Sequence, residues 1–179
     1  TKAYPCSFGN LNFPNAIRDF KKKKVLVVGD VMLDEYTSGS VTRVSPEAPI
    51  PILEETHGRY VLGGAANVAR NVHALGARAA LVGVVGPDAF GERVRELLRE
   101  DGISLRGVLT DKNRPTTRKH RFLAGANQLL RVDSEKTDDV DSTIGSRLLA
   151  HAAALMDDCD MVIFSDYAKG VFSPAVSRG

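Results

Sequence analysis

The chain has 179 residues, 43% of them hydrophobic and 26% charged. That composition excludes wholesale disorder and allows one domain, or one plus a tail, at ~150 residues per domain. Lys and Arg number 24 against 22 Asp and Glu, a net charge of +2, and aromatic content is 6% without Trp, so neither charge nor a base-stacking surface points to nucleic acid.

Residues 1–24 read as an N-terminal extension closing on the basic run Lys21–Lys24, taken as a solvated helix end. It has no signal-peptide apolar core. Val25–Gly29 is a continuous apolar run ending in Gly, the pattern of a strand buried on both faces of a parallel sheet. Segment 36–61 is long, β-branched and interrupted by Pro46, Pro49 and Pro51. Ala65, Val68, Ala69, Val72 and Leu75 follow a helical period that Gly76 stops. Leu81–Val85 repeats the buried-strand pattern; Phe90, Val94, Leu97 and Leu98 mark a helix closed by Gly102; Ile103–Leu109 is a weaker strand.

Segment 116–133 reads as a hairpin, with arms Thr117–Leu123 and Gln128–Val132 around Gly125-Ala126-Asn127. Ile144, Leu148, Ala152 and Leu155 mark a third helix with Asp141 or Ser142 as N-cap, and Met161–Phe164 is another buried strand. Strands alternating with helices predict an α/β fold with a mostly parallel sheet and flanking helices. Segments 36–61 and 116–133 form a small β-layer beside it, a lid, because prolines belong at sheet edges. Ser173-Pro174 opens a helix that meets Gly179 after barely one turn. A crossover helix normally returns to another strand, so the expectation is the N-terminal part of a larger domain. No apolar run approaches the ~18 residues of a membrane span. Cys6 and Cys159 form no ligand or disulfide pattern and fit a reducing, cytoplasmic compartment.

Gly63-Gly64-Ala65-Ala66-Asn67 opens a helix. It is either a cradle where a ligand meets backbone N–H groups and the Asn67 amide, or a tight loop before close packing. Asp30 and Asp34 follow the first strand, where open α/β sheets bind ligands. They are either acceptors for sugar hydroxyls or turn and capping residues. Asp166, Lys169 and Gly170 follow the last strand and suit a hydroxyl, a phosphate and a close backbone contact, or else a structural Asp–Lys pair. Arg43, Arg118, Lys119, Arg121 and Arg131 lie in the lid segments, where guanidinium forks match phosphate oxygens unless they are simply solvated. His57, His73, His120 and His151 show no metal spacing, so no metal site is assigned.

The segments Val27–Asp34, Gly63–Asn67 and Leu75–Ala77 resemble the ribokinase-like (pfkB) carbohydrate kinases. Val44–Pro51, Asn127–Asp133 and Ser165–Gly170 are similar to the D-glycero-β-D-manno-heptose 7-phosphate kinase domain within that family. In many bacteria that domain is joined to an adenylyltransferase. The resemblance implies ATP- and Mg-dependent phosphorylation of the anomeric hydroxyl of heptose 7-phosphate, toward ADP-heptose and the lipopolysaccharide core. It implies sugar-binding positions at Asp30, Asp34, Gly63, Gly64 and Asn67, to which Asp166 is added. Lys169 and the lid arginines are the candidates for the 7-phosphate, and the lid allows a homodimer. The family's GAGD motif, which carries the general base and the anion hole, is missing from 1–179. The expectation is therefore residues 25–179 as the first half of a kinase domain, inactive alone. A kinase for another sugar phosphate and a non-catalytic sugar-phosphate-binding module are the alternatives.

Overall fold

The computed structural model describes residues 18–178. Most of the expected extension therefore lies outside the described residues. Its last part packs onto the domain: Phe20 touches the core and the Lys21 side chain lies against Gly76.

Among the described residues, two four-stranded sheets form the fold. The larger has the order β5-β4-β1-β8, all parallel: β1 is Lys24–Gly29, β4 Arg78–Val85, β5 Ser104–Thr110 and β8 Met161–Ser165. Val25 and Val27 of β1 point into one apolar cluster with α1 (Gly64–Ala74) and α2 (Ala89–Glu100). Leu26 and Val28 point into a second, under α3 (Ser142–Met156) and the short α4 (Pro174–Arg178). Both faces are covered, which is why β1 is apolar without alternation. The helices end as their sequences dictate. Asp88 and Asp141 cap α2 and α3 by accepting from the backbone N–H groups of Gly91 and Ile144, an arrangement that supplies orphan N–H donors with a carboxylate.

The chain leaves β1 to one side for β4 and β5 and returns on the other side for β8. The carboxyl ends of β1 and β8 therefore flank a switch point, where open α/β sheets bind ligands.

The smaller sheet has the order β3-β2-β6-β7, with β2 Val31–Val44, β3 Pro51–Gly63, β6 Thr117–Ala124 and β7 Asn127–Ser134. This is the expected lid, with one correction. β2 starts at Val31, directly after β1, so Asp34 sits in a lid strand rather than in a loop beyond β1. The chain crosses between the sheets at Asp30, at Gly63–Gly64 and at the segment before Thr117, and each crossing is tied down. The Asp30 backbone N–H donates to the Ser165 carbonyl (3.1 Å), and its carbonyl accepts from Ala65 N–H (2.9 Å). Thr116, 1% exposed, donates its N–H and hydroxyl to Asp88 (2.8 and 2.7 Å).

Candidate functional site

Asp34 lies where β2 runs past the start of α1. A Cβ on Gly63 would come within 2.7 Å of Asp34 Oδ2, and Gly64 has φ 53°, a left-handed conformation that favours glycine. Gly63 lets the carboxylate press against the helix entrance, while Gly64 makes room for the Asp30 carbonyl and Met32, and Gly63, the N-cap, offers no side chain to close that end of the helix. Asn67 is exposed on the first turn of α1. Asp34, Gly63, Gly64 and the opening of α1 are thus brought together.

Arg121 Nη1 donates to Asp34 Oδ1 at 2.6 Å, and both side chains are only about a fifth exposed. Burial works against the guanidinium charge, but the Asp34 carboxylate more than restores it and the Arg121 pKa rises. In the lid register Asp34 stands opposite Val61 and Lys119, and Lys119 opposite Asp133. The next rung on the same face is Arg59, Tyr36, Arg121 and Arg131, since alternate residues of a strand share a face. Lys119 Nζ donates to Asp133 (3.0 Å) and lies 3.5 Å from Glu135, whose other oxygen accepts from Lys169 Nζ at 2.8 Å. This chain of charges joins the loop after β8 to the lid. Lys169 holds the Glu135 carboxyl below its ordinary value, more strongly than burial raises it. Burial pushes the Asp133 carboxyl up, but Lys119 and Arg131 outweigh it and the pKa falls.

Asp30 differs from its expected role. It is 1% exposed. Its Oδ2 accepts from the N–H groups of Tyr167 (2.7 Å) and Lys169 (3.1 Å), and its Oδ1 from that of Val171 (3.3 Å). It anchors the loop that carries Lys169 and leaves no oxygen facing a ligand. Arg114, which the sequence reading passed over, holds the same loop from the other side. It pairs with buried Asp111 (2.9 Å) and donates to the carbonyls of Lys169 (2.8 Å) and Asp138 (2.9 Å). Nothing local marks Arg114 in the sequence; a buried arginine shows itself only through the carbonyls around it.

Other expected site residues lie elsewhere. Arg43 stands nine positions along β2 from Asp34, roughly 30 Å away at ~3.3 Å per residue, and pairs with Glu54. Arg118 is paired with Leu33 and so faces the opposite side of the lid. There it donates to Glu35 (3.1 Å) and stacks on Phe90 (4.1 Å). Arg131 shares the Asp34 face but is tied to Asp133 at 2.9 Å. Asp166 closes a turn by accepting from Ala168 N–H (2.8 Å) and lines an apolar groove of about 1080 Å³ between α3, α4 and β8, with Phe164 and Phe172. That groove includes neither Asp34 nor Asn67.

Among the described residues, no three His, Cys, Asp or Glu side chains converge as a metal site. With the GAGD segment also lacking from 1–179, the described residues do not compose a nucleotide or Mg site.

The sequence profile described as "pfkB family carbohydrate kinase" matches residues 22–166. The bifunctional protein HldE of Caulobacter vibrioides is 46% identical over 162 residues, 90% of this chain and 33% of the relative. The D-beta-D-heptose 7-phosphate kinase of Bordetella bronchiseptica is 46% identical over 156 residues, 84% of this chain and 47% of the relative. The chain therefore spans between a third and a half of the length of these curated relatives. Among solved structures, a carbohydrate kinase from Agrobacterium tumefaciens superposes with TM-score 0.60 at 24% identity, covering 79% of this chain and 45% of that one. Arabidopsis thaliana ribokinase complexed with ribose and ATP gives 0.56 at 19% identity, over 79% and 45%. At these identities the two structures establish the fold alone.

Proposed function

The chain belongs to the pfkB family of carbohydrate kinases, and from that premise we propose that the protein carrying it transfers a phosphoryl group from ATP to the anomeric hydroxyl of D-glycero-D-manno-heptose 7-phosphate. The observation that carries this reading is the Asp34–Arg121 pair at 2.6 Å, set against Gly63 at the entrance of α1. It puts a hydroxyl acceptor and an anion receptor side by side, the two chemistries a sugar phosphate presents. The Bordetella bronchiseptica relative, a D-beta-D-heptose 7-phosphate kinase at 46% identity, supports heptose 7-phosphate as the substrate.

In this reading Asp34 and Asn67 hold sugar hydroxyls, and the Gly63–Gly64 turn sets the Asp34 carboxylate against the opening of α1, where the ring docks. The phosphate meets the cations of the lid face and Lys169. Loop anchoring by Asp30 and Arg114 fixes Lys169 before any ligand arrives, which limits the ordering cost of binding. The general base and anion hole come from chain outside residues 1–179, so this segment by itself transfers nothing. The reading also includes a cytoplasmic homodimer formed through the lid. In its support, Leu130 and Val132 lie on the lid face opposite Asp34, paired with Phe122 and His120, and stay 55% and 41% exposed.

The test is ADP release by the full-length protein with ATP and heptose 7-phosphate, in the parent and in Asp34→Asn. The reading expects turnover in the parent and a KM for the sugar at least tenfold higher in the variant. Absence of transfer to heptose 7-phosphate, with transfer to another sugar phosphate, would overturn the substrate; a silent Asp34→Asn would overturn the site.

A further inference from the structure

One feature of the lid exceeds what a solvated surface requires. Arg59, Tyr36, Arg121 and Arg131 form a single rung across all four lid strands, on the face that also carries Asp34. Like charges placed opposite one another across strands are destabilising, yet here three arginines share one rung. Two of them use the same ring: the Arg59 guanidinium lies 4.7 Å from the Tyr36 centroid and that of Arg121 lies 5.3 Å from it. Asp34 neutralises Arg121 and Asp133 neutralises Arg131. Arg59 has no carboxylate partner among the described residues and is exposed. The rung is thus left with one uncompensated guanidinium, oriented by a tyrosine next to the candidate sugar site.

We propose that Arg59 and Arg121, stacked on Tyr36, form the clamp that reads the phosphomonoester of the sugar substrate, with Asp34 as the switch that releases Arg121 to it. The proposal rests on the sugar-phosphate reading above and names the residues that set its selectivity. Without ligand, Arg121 is held by Asp34. Sugar hydroxyls that donate to the Asp34 carboxylate compete with that ion pair and free one edge of the Arg121 fork. Arg59 supplies the standing positive charge from the other side of the Tyr36 ring, and guanidinium forks suit phosphate oxygens better than ammonium point charges do. A sugar without the phosphate leaves the freed fork without a partner, so the two ends of the substrate are recognised together. Lys169, engaged by Glu135 at 2.8 Å, then borders the anion rather than binding it first.

The experiment compares heptose 7-phosphate with unphosphorylated heptose as substrates of the full-length parent, Arg59→Gln and Asp34→Asn, with KM for ATP measured alongside. Arg59 is exposed, so the glutamine variant should melt like the parent. The clamp predicts that Arg59→Gln lowers the preference for the phosphorylated sugar, as a ratio of kcat/KM, at least tenfold through KM with little change in kcat. Equal losses on both sugars, no loss, or a loss confined to the KM for ATP would each overturn it. If the parent itself shows no preference for the phosphorylated sugar and Asp34→Asn is silent, the kinase-site reading fails. If both of those behave as expected and only Arg59→Gln is silent, the clamp alone fails.

Discussion

Replacing Asp30 by alanine removes the carboxylate that ties the end of β1 to the loop after β8. Three backbone N–H groups lose their acceptor at once, those of Tyr167, Lys169 and Val171. Hydrogen bonds to a charged acceptor are worth about 1.5–3 kcal/mol each, and a buried donor left without a partner costs roughly 1–3 kcal/mol. The three bonds share one side chain and the Val171 bond is long at 3.3 Å, so the total falls short of simple addition. About 3–5 kcal/mol is the expected loss, a large fraction of a domain's stability. Asp30→Asn should cost less, near 1–3 kcal/mol, because its one remaining oxygen can keep the two bonds of Oδ2. Urea unfolding of the full-length protein gives the stability loss. Hydrogen exchange gives its location, since the amides of Tyr167 and Lys169 should lose protection before those of β1. A loss under 1 kcal/mol, with those amides still protected, would show that the loop holds itself and that Asp30 does not position Lys169.

Arg114→Met leaves Asp111 buried without its cation and should cost about 3–5 kcal/mol by chemical denaturation; adding Asp111→Asn should recover part of that loss. The Glu135 carboxyl is lowered by Lys169, so the stabilisation it contributes is full above the ordinary glutamate value and disappears as pH falls through the lowered one. A pH series of melting temperatures should accordingly show a shallower acid limb in Glu135→Gln than in the parent. Leu130→Asp places a charge on the apolar outer face of the lid, and sedimentation equilibrium should show at least a tenfold weaker dimer with the melting temperature of the protomer little changed.

The parts that sequence reading captured are those whose cause is local. β1 reads as a buried strand because helices cover both faces and every side chain is apolar. Gly76 and Gly102 stop α1 and α2 in left-handed conformations, φ 98° and 71°, and the hairpin turns at Gly125 with φ 57°. What escaped is set by pairing between distant segments. Asp30 shows no sign of being an anchor, because its partners are backbone N–H groups more than 130 positions away. Arg118 and Arg121 look equivalent in sequence, yet their odd separation puts them on opposite faces of β6, and only Arg121 shares the face of Asp34 and the proposed site. Arg59 was invisible for a related reason. It joins the rung only through the register of β2 with β3, and that pairing shifts twice further along the strands.

The placement of the site near the junction of the sheets has a mechanical reason. All three crossings are held: Asp30 by bonds to the loop after β8 and to Ala65, Gly63 and Gly64 by their pairing with Met32 and Val31, and Thr116 by Asp88. Displacement of a sheet about a pinned edge grows with distance from that edge. The Asp34 and Tyr36 rungs, a few residues beyond the crossings, therefore keep nearly the rigidity of the large sheet. The tip around Val44 and Ile50, both largely exposed, has the longest lever. Residues that must hold a substrate within a few tenths of an ångström belong at the stiff end. The residues proposed to bind substrate, Asp34, Arg121 and Arg59, stand there, while Arg43, out toward the tip, pairs with Glu54 at the surface.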